Sequence, residues 1–293
     1  MKIIVIGAVA AGTSAAAKAR RNSEDAEIVV YEKDRFISYS GCGMPYHIGG
    51  VVENAEELTP RDPAFFKGKY NVDILTRHEV LALSPSNKCV TVKNLETGEV
   101  FEDHYDKLVI ATGARASVPP IKGADGAHVF TLRSIGDMLR IKAFIRENRP
   151  KSAAIIGTGF IGLEMCENLK ALGIEVSLIE KLPQVTPGLD ADMAAYAQDH
   201  IEKSGVPVLT NASASEITDV GVSLADGREI PADMVLVSAG IRPNTELAAA
   251  AGIALGASGA IRVDAGMRTN IPGIYACGDC IEHFHLVTGK PVW

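Results

Sequence analysis

Cys42 stands between two glycines in the stretch Ser38-Tyr-Ser-Gly-Cys-Gly-Met-Pro-Tyr46. Small neighbours let a flat ligand approach the sulfur closely. A helix expected to start just beyond it would favour the thiolate through its unpaired N–H groups. Read alone, the same stretch also fits a buried cysteine serving as a small apolar residue. A second thiol pattern, Cys277-Gly-Asp-Cys280, has the C-x-x-C spacing of a redox dithiol.

Two glycine turns give these thiols a context. Gly7-Ala-Val-Ala-Ala-Gly12 follows the apolar run Lys2–Ile6 and opens an alanine-rich helical stretch, Thr13–Arg21. A further strand, Glu27–Tyr31, then ends at Glu32. Such a turn aims backbone N–H groups and a helix N-terminus at a pyrophosphate, while the acid takes ribose hydroxyls. Val9 occupies the middle glycine position, so this turn alone fits a ligand-free βαβ crossover as well. Gly157-Thr-Gly-Phe-Ile-Gly162 carries the whole G-x-G-x-x-G pattern. It lies between the strand Ala153–Ile156 and the helix Leu163–Leu172, and the next strand, Glu175–Ile179, ends at Glu180. That context predicts a dinucleotide site.

The remaining elements must hold these turns. Between them the pattern predicts a helical piece after Thr59-Pro60 and short strands at Val72–Leu75, Glu79–Leu83 and Cys89–Lys93. A buried strand then runs into Lys107-Leu-Val-Ile-Ala-Thr-Gly113, and a helix covers Ile135–Arg146. After the second turn come the helix Ala191–Lys203, strands at Val206–Leu209 and Val220–Leu224, and Met234-Val-Leu-Val-Ser-Ala-Gly240. Each turn is thus followed by a buried strand ending at a glycine, a distant internal duplication. Gly273-Ile-Tyr-Ala-Cys-Gly-Asp279 supplies a last strand with an aspartate at its carboxyl end.

The 293 residues suit two domains, and a net charge of −7 offers no footing for nucleic acid or an anionic membrane. Four apolar residues before Gly7 are too few for a signal-peptide core, and no run approaches a membrane span. Cysteines at 42, 89, 166, 277 and 280 do not make a secreted disulfide framework. A cytoplasmic location without a metal site is the expectation.

In order, the loose turn with Glu32, Ala111-Thr-Gly113, the strict Gly157–Gly162 turn, Gly240-Ile-Arg-Pro-Asn244 and Tyr275-Ala-Cys-Gly-Asp279 resemble the FAD-dependent pyridine nucleotide-disulfide oxidoreductases. The lone Cys42, followed by Pro45-Tyr46 and Ile48-Gly-Gly50, is similar to the single-cysteine branch, the coenzyme A-disulfide reductases above all. The resemblance implies an α/β fold of two Rossmann-like three-layer domains. An FAD domain would comprise 1–114 and 243–293, with an NAD(P)H domain, 115–242, inserted in it. A C-terminal dimerisation domain is expected but absent from these residues, so the chain is expected to be a fragment of a homodimeric protein, cut just before a helix that should follow Asp279.

Carried over by residue, the resemblance assigns the redox role to Cys42. It assigns FAD contacts to Gly7, Ala8, Gly12, Glu32, Lys33, Ala111, Thr112, Gly113, Arg133 and Asp279. For NAD it implies Gly157, Gly159, Phe160, Ile161, Gly162, Glu180 and Gly240, with Phe160 and Ile161 screening the flavin. Glu180 favours NADH, and Lys181 beside it leaves NADPH open. Ser14, Arg21, Ser38 and His285 match positions that contact coenzyme A, and Lys18 and Lys69 are further basic candidates. Gly41 departs from the asparagine of better-studied members. Cys277 and Cys280 then merely flank the Gly-Asp of an FAD motif. The implied reaction carries electrons from NADH or NADPH to a coenzyme A disulfide, persulfide or polysulfide. An NADH oxidase or peroxidase cycling through a Cys42 sulfenic acid, and a reductase of a rubredoxin- or ferredoxin-type partner, are the alternatives.

Overall fold

Lys2–Ile6 alternates its side chains between two apolar layers. Ile3 and Val5 join Ala16, Ile28, Val30, Phe66 and Ile74 on one face, while Ile4 and Ile6 join Val90, Val92, Leu108 and Ile110 on the other. A strand buried on both faces is what a parallel sheet needs, and its period of two sorts the residues. In the computed structural model, which describes all of Met1–Trp293, this strand is the centre of a five-stranded parallel sheet. The order is Ile274–Ala276, Lys107–Ile110, Lys2–Ile6, Glu27–Glu32, Asp73–Thr76. Helices Ala10–Asn22 and Pro63–Tyr70 supply one layer, and the antiparallel meander His78–Ser84, Cys89–Asn94, Val100–His104 supplies the other.

A second parallel sheet repeats the plan. Its order is Val129–Phe130, Met234–Val237, Ser152–Ile156, Glu175–Ile179, Val208–Leu209, and it too carries a meander, Ala214–Thr218, Gly221–Leu224, Glu229–Pro231. In each sheet the strand that precedes the glycine turn lies between the strand that ends in an acid and the one that runs on to a later glycine. The expected α/β class with two nucleotide-type sheets is therefore what the chain builds.

The chain divides into two compact units. One comprises Met1–Tyr39, Thr59–Arg115 and Arg242–Trp293, and the other Ser40–Leu58 and Ala116–Ile241. The segment that carries Cys42 thus packs with the second unit, whereas the sequence reading left 40–58 in the first. The reason is local. The one-turn helix Met44–Ile48 buries Met44, Pro45, His47 and Ile48 and packs on the helices Phe160–Ala171 and Ile135–Asn148. Gly49 lies so close to the Asn168 side chain that a Cβ there would collide with it.

Beyond Cys280 the chain forms a small antiparallel pair, Ile281–Phe284 with Pro291–Val292. No helix is long and apolar enough to cross a membrane.

Candidate functional site

The first glycine turn is closed by backbone alone. Gly7 has φ +103°, and a Cβ on it would strike the Ala111 carbonyl; one on Gly12 would strike the Gly7 carbonyl. Val9, at the middle glycine position, has φ −92° and ψ −123°, so it needs no left-handed φ, although its ψ lies outside the helical and extended wells. Buried Glu32 binds the turn to its own strand end: Ala8 N–H donates to Oε2 at 2.8 Å and Asp34 N–H to Oε1 at 2.9 Å. Burial pushes the Glu32 carboxyl above its ordinary range, and the two backbone donors offset part of that. Ser38 is drawn to the same turn, with its N–H donating to the Ala8 carbonyl at 2.8 Å from a left-handed φ of +47°. Lys33 is exposed beside it.

Thr112 and Gly113 latch a return of the chain. The Thr112 hydroxyl donates to the Asn244 carbonyl at 2.6 Å, Asn244 Nδ2 donates back to the Thr112 carbonyl at 2.9 Å, and Asn244 N–H donates to the Gly113 carbonyl at 2.9 Å.

The second turn has the same construction. Glu180, buried, accepts from Thr158 N–H at 3.0 Å, Thr158 Oγ1 at 2.7 Å and Leu182 N–H at 2.9 Å. Gly157 has φ +102°, and Gly162 approaches the Gly157 carbonyl too closely for any Cβ. Open space lies over Gly159 and Gly240. Phe160 is 78% exposed, a large aromatic ring left uncovered at the start of the helix, and Ile161 is half-buried.

The fit to two dinucleotides rests on how these helices begin. Asp62 caps Pro63–Tyr70 and the Ser134–Asp137 capping box closes Ile135–Asn148, but no side chain caps Ala10–Asn22, Phe160–Ala171 or Ala191–Lys203, and of these only the first two open directly from a glycine turn. Their first N–H groups are left for an anion, over turns in which Gly7, Gly12, Gly157 and Gly162 leave no room for a Cβ. The residues present at each turn therefore fit the pyrophosphate of a dinucleotide.

Cys42 lies in a single 3₁₀ turn, Gly41–Gly43, and is exposed, while Cys89, Cys166 and Cys280 are buried and Cys277 is half-buried. Exposure removes the small-apolar-residue reading of Cys42. The helix after it spans only Met44–Ile48, shorter than a strong dipole needs. His47, buried, has Nδ1 2.8 Å from the Val52 carbonyl and Nε2 3.0 Å from Lys142 Nζ. This pair was not singled out from sequence for the site. A lone histidine and a helix lysine carry no local signal of such a contact.

Cys280 is held as a structural thiol, donating to the Cys277 carbonyl at 3.2 Å and the Ile110 carbonyl at 3.5 Å. Burial pushes the Cys277 thiol up to about 11. Asp279 between them is exposed, its carbonyl accepting from Trp293 Nε1 at 2.7 Å. Arg133 lies in the second unit, its N–H donating to Asp137 Oδ2 at 3.1 Å. Ser14, Lys18 and Arg21 share one exposed face of the helix Ala10–Asn22. His285 sits on the exposed C-terminal hairpin, with Nδ1 accepting from the Val287 and Thr288 N–H groups at 3.2 Å. No hydrogen bond joins these substrate candidates to one another.

Two parallel sheets, each with an acid-locked glycine turn, and one exposed cysteine define a two-nucleotide redox protein. The chain belongs to the pyridine nucleotide-disulphide oxidoreductase family, whose sequence description matches residues 1–290. It is 41% identical to an NADH oxidase of Methanocaldococcus jannaschii, across 99% of this chain and 65% of that protein. To a coenzyme A disulfide reductase of Staphylococcus haemolyticus it is 37% identical, across 99% of this chain and 66% of the relative. The solved NAD-dependent persulfide reductase from A. fulgidus superposes with a TM-score of 0.96 at 42% identity, covering all of this chain and 56% of that one. The chain therefore spans just under two thirds, or less, of these three relatives.

Proposed function

We propose that this chain forms the nucleotide-binding and thiol-bearing part of an FAD- and NAD(P)H-dependent reductase of small disulfides, persulfides or polysulfides, of the coenzyme A-disulfide type. The single observation that carries the reading is the exposed, glycine-flanked Cys42 in a chain whose two glycine turns are each locked to a buried acid. The overall balance is NAD(P)H + H⁺ + R–S–S–R giving NAD(P)⁺ + 2 R–SH. Bound FAD supplies the two-electron relay between nicotinamide and sulfur.

The chain's own residues do the rest. Gly7, Ala8, Gly12 and Glu32 would hold the FAD pyrophosphate and adenosine ribose, with Ala111–Gly113, Arg133 and Asp279 as further candidates for contact. Gly157–Gly162 and Glu180 would hold NAD(P)H, and the acid would disfavour a 2′-phosphate. Uncovered Phe160 provides an aromatic face for a planar ring. Cys42 as thiolate attacks one sulfur of the substrate, forming a mixed disulfide and releasing one thiol. The exposed Ser14, Lys18 and Arg21 face, with Ser38 and His285, offers hydroxyls and cations to a phosphorylated thiol such as coenzyme A.

The M. jannaschii relative's name favours a second reading, in which Cys42 cycles through a sulfenic acid with oxygen or peroxide as acceptor. Steady-state NADH consumption with coenzyme A disulfide or polysulfide, against oxygen alone, separates the two. A Cys42→Ser protein should keep its yellow FAD and lose disulfide turnover together with the long-wavelength thiolate–flavin band. Undiminished disulfide reduction in that variant removes Cys42 from the reaction.

A further inference from the structure

The turn that presents Cys42 cannot hold itself. Gly41 and Gly43 flank the thiol, and glycine contributes no packing and maximal backbone freedom. The turn is tied by Gly43 N–H donating to the Ser40 carbonyl at 3.2 Å and Ser40 N–H donating to the Leu58 carbonyl at 2.8 Å. The five-residue helix that follows is far below the length at which a helix persists on its own. Something outside the segment must fix it.

Lys142, on the helix Ile135–Asn148, is placed to do so. Its ammonium donates to His47 Nε2 at 3.0 Å and to the His47 carbonyl at 3.1 Å, reaching a residue 95 positions away. The two contacts differ in kind. The bond to the carbonyl adds a second donor to an oxygen that already accepts from Gly50 N–H at 3.2 Å, at the end of the short helix. The bond to the ring assigns its tautomer. A carbonyl only accepts, so Nδ1 facing Val52 carries the hydrogen; an ammonium only donates, so Nε2 is bare. One cation thus orients a buried imidazole, and the imidazole in turn grips Val52 at the far end of the segment. The close approach of Gly49 to Asn168 is a second anchor on the same side.

We propose that Lys142 is a positioning residue for Cys42, acting through His47. This rests on the reading of Cys42 as the redox thiol. Lys142 touches neither substrate nor cofactor in that role; it sets where the Gly41–Gly43 turn can be.

The test uses the full 293-residue chain and two kinds of readout. Lys142→Met keeps the length and removes the donor; Lys142→Arg keeps a donor; His47→Leu keeps the lysine charge and removes the ring acceptor. Amide exchange by mass spectrometry should quicken roughly tenfold across 43–52 in Lys142→Met and His47→Leu. Exchange in the strand Glu175–Ile179 should not change. Iodoacetamide should modify Cys42 at least threefold faster in both variants, because an unpinned turn opens more approaches to the sulfur, and Lys142→Arg should restore the wild-type rate to within twofold. Faster exchange with a Cys42 rate within twofold of wild type would make Lys142 merely structural and overturn the proposal, as would no change in either readout. Mixed-disulfide formation between wild-type Cys42 and coenzyme A disulfide, followed by intact mass, judges the functional reading separately. If the wild type fails to form it, the substrate reading falls while the alkylation rates still decide the clamp.

Discussion

Thiol burial separates the five cysteines more sharply than their sequence neighbours do. Cys42 is exposed in a glycine turn, whereas Cys277 is pushed up to about 11 by burial, with the neighbouring Cys280 thiol acting in the same direction. Cys280 is raised by burial as well, against hydrogen bonds that pull it back. Only a thiolate attacks an alkylating reagent. At pH 7.5, iodoacetamide should therefore add one group per chain, at Cys42, on a timescale that leaves Cys277 and Cys280 unmodified. Raising the pH towards 11 should bring Cys277 into reaction, because its thiolate fraction grows only there. Peptide mapping of the first modified site checks this. Early labelling of Cys277 at neutral pH would restore the C-x-x-C pair as a redox dithiol. The pattern Cys277-Gly-Asp-Cys280 was legible from sequence, but burial, which decides its chemistry, was not.

Elements are where the sequence was most readable, and the exceptions have physical causes. Lys2–Ile6, Glu175–Ile179 and Ala191–Lys203 have the bounds that the apolar patterning predicts. Both glycine-turn helices begin three residues sooner than expected, at Ala10 and Phe160, because the last residues of each turn are already the first helical turn. Val100–His104, Ala214–Thr218 and Glu229–Pro231 escaped notice, being short outer strands of the meanders in which one or two apolar residues stand among polar ones. Long-range polar contacts left no sequence signal at all. Arg20 is the clearest case. Its guanidinium donates to the carbonyls of Tyr70 at 2.8 Å, Ser23 at 3.3 Å, Ala26 at 2.6 Å and Asn71 at 2.9 Å, and also to Glu24. It ties the end of the helix Ala10–Asn22 to the end of Pro63–Tyr70, whereas the adjacent Arg21 is exposed. A lysine has at most three donors on one centre and cannot match that fan. Arg20→Lys should cost about 2 kcal/mol, from two or more carbonyls losing a charged donor. It should lower the thermal midpoint by roughly 4 °C. Arg21→Lys should leave the midpoint unchanged, and an equal effect from both would remove Arg20 from this role.

Across the whole molecule, both units bury weak acids that ionise at high pH. Cys277 in the first unit and Cys166 in the second are each pushed up to about 11, burial being the leading cause in both. Tyr31 and Tyr105, both buried, are also raised, again by burial first. An unfolded thiol releases its proton near its ordinary value, while these folded thiols keep theirs until the pH is about two units higher. Between those points the unfolded chain binds fewer protons than the folded one. Stability contributed by these groups is therefore fully present below pH 9 and lost as pH rises towards 11. Lys2 adds to the same limb. Burial opposes its charge, but hydrogen bonds to Asp103 and Glu27 prevail and raise it, so its contribution is also lost on the alkaline side. Thermal midpoints taken from pH 8 to pH 10.5 should fall steadily above pH 9, before any site chemistry is invoked. Cys166 sits on the fingerprint helix with 5% exposure, so Cys166→Ala removes one ionisable group and leaves only a small cavity. That variant should be somewhat less stable at pH 7.5, yet lose stability less steeply between pH 9 and 10.5, by close to one bound proton. Parallel curves for the variant and the wild type would show that burial does not hold this thiol protonated, and that the alkaline limb has another origin.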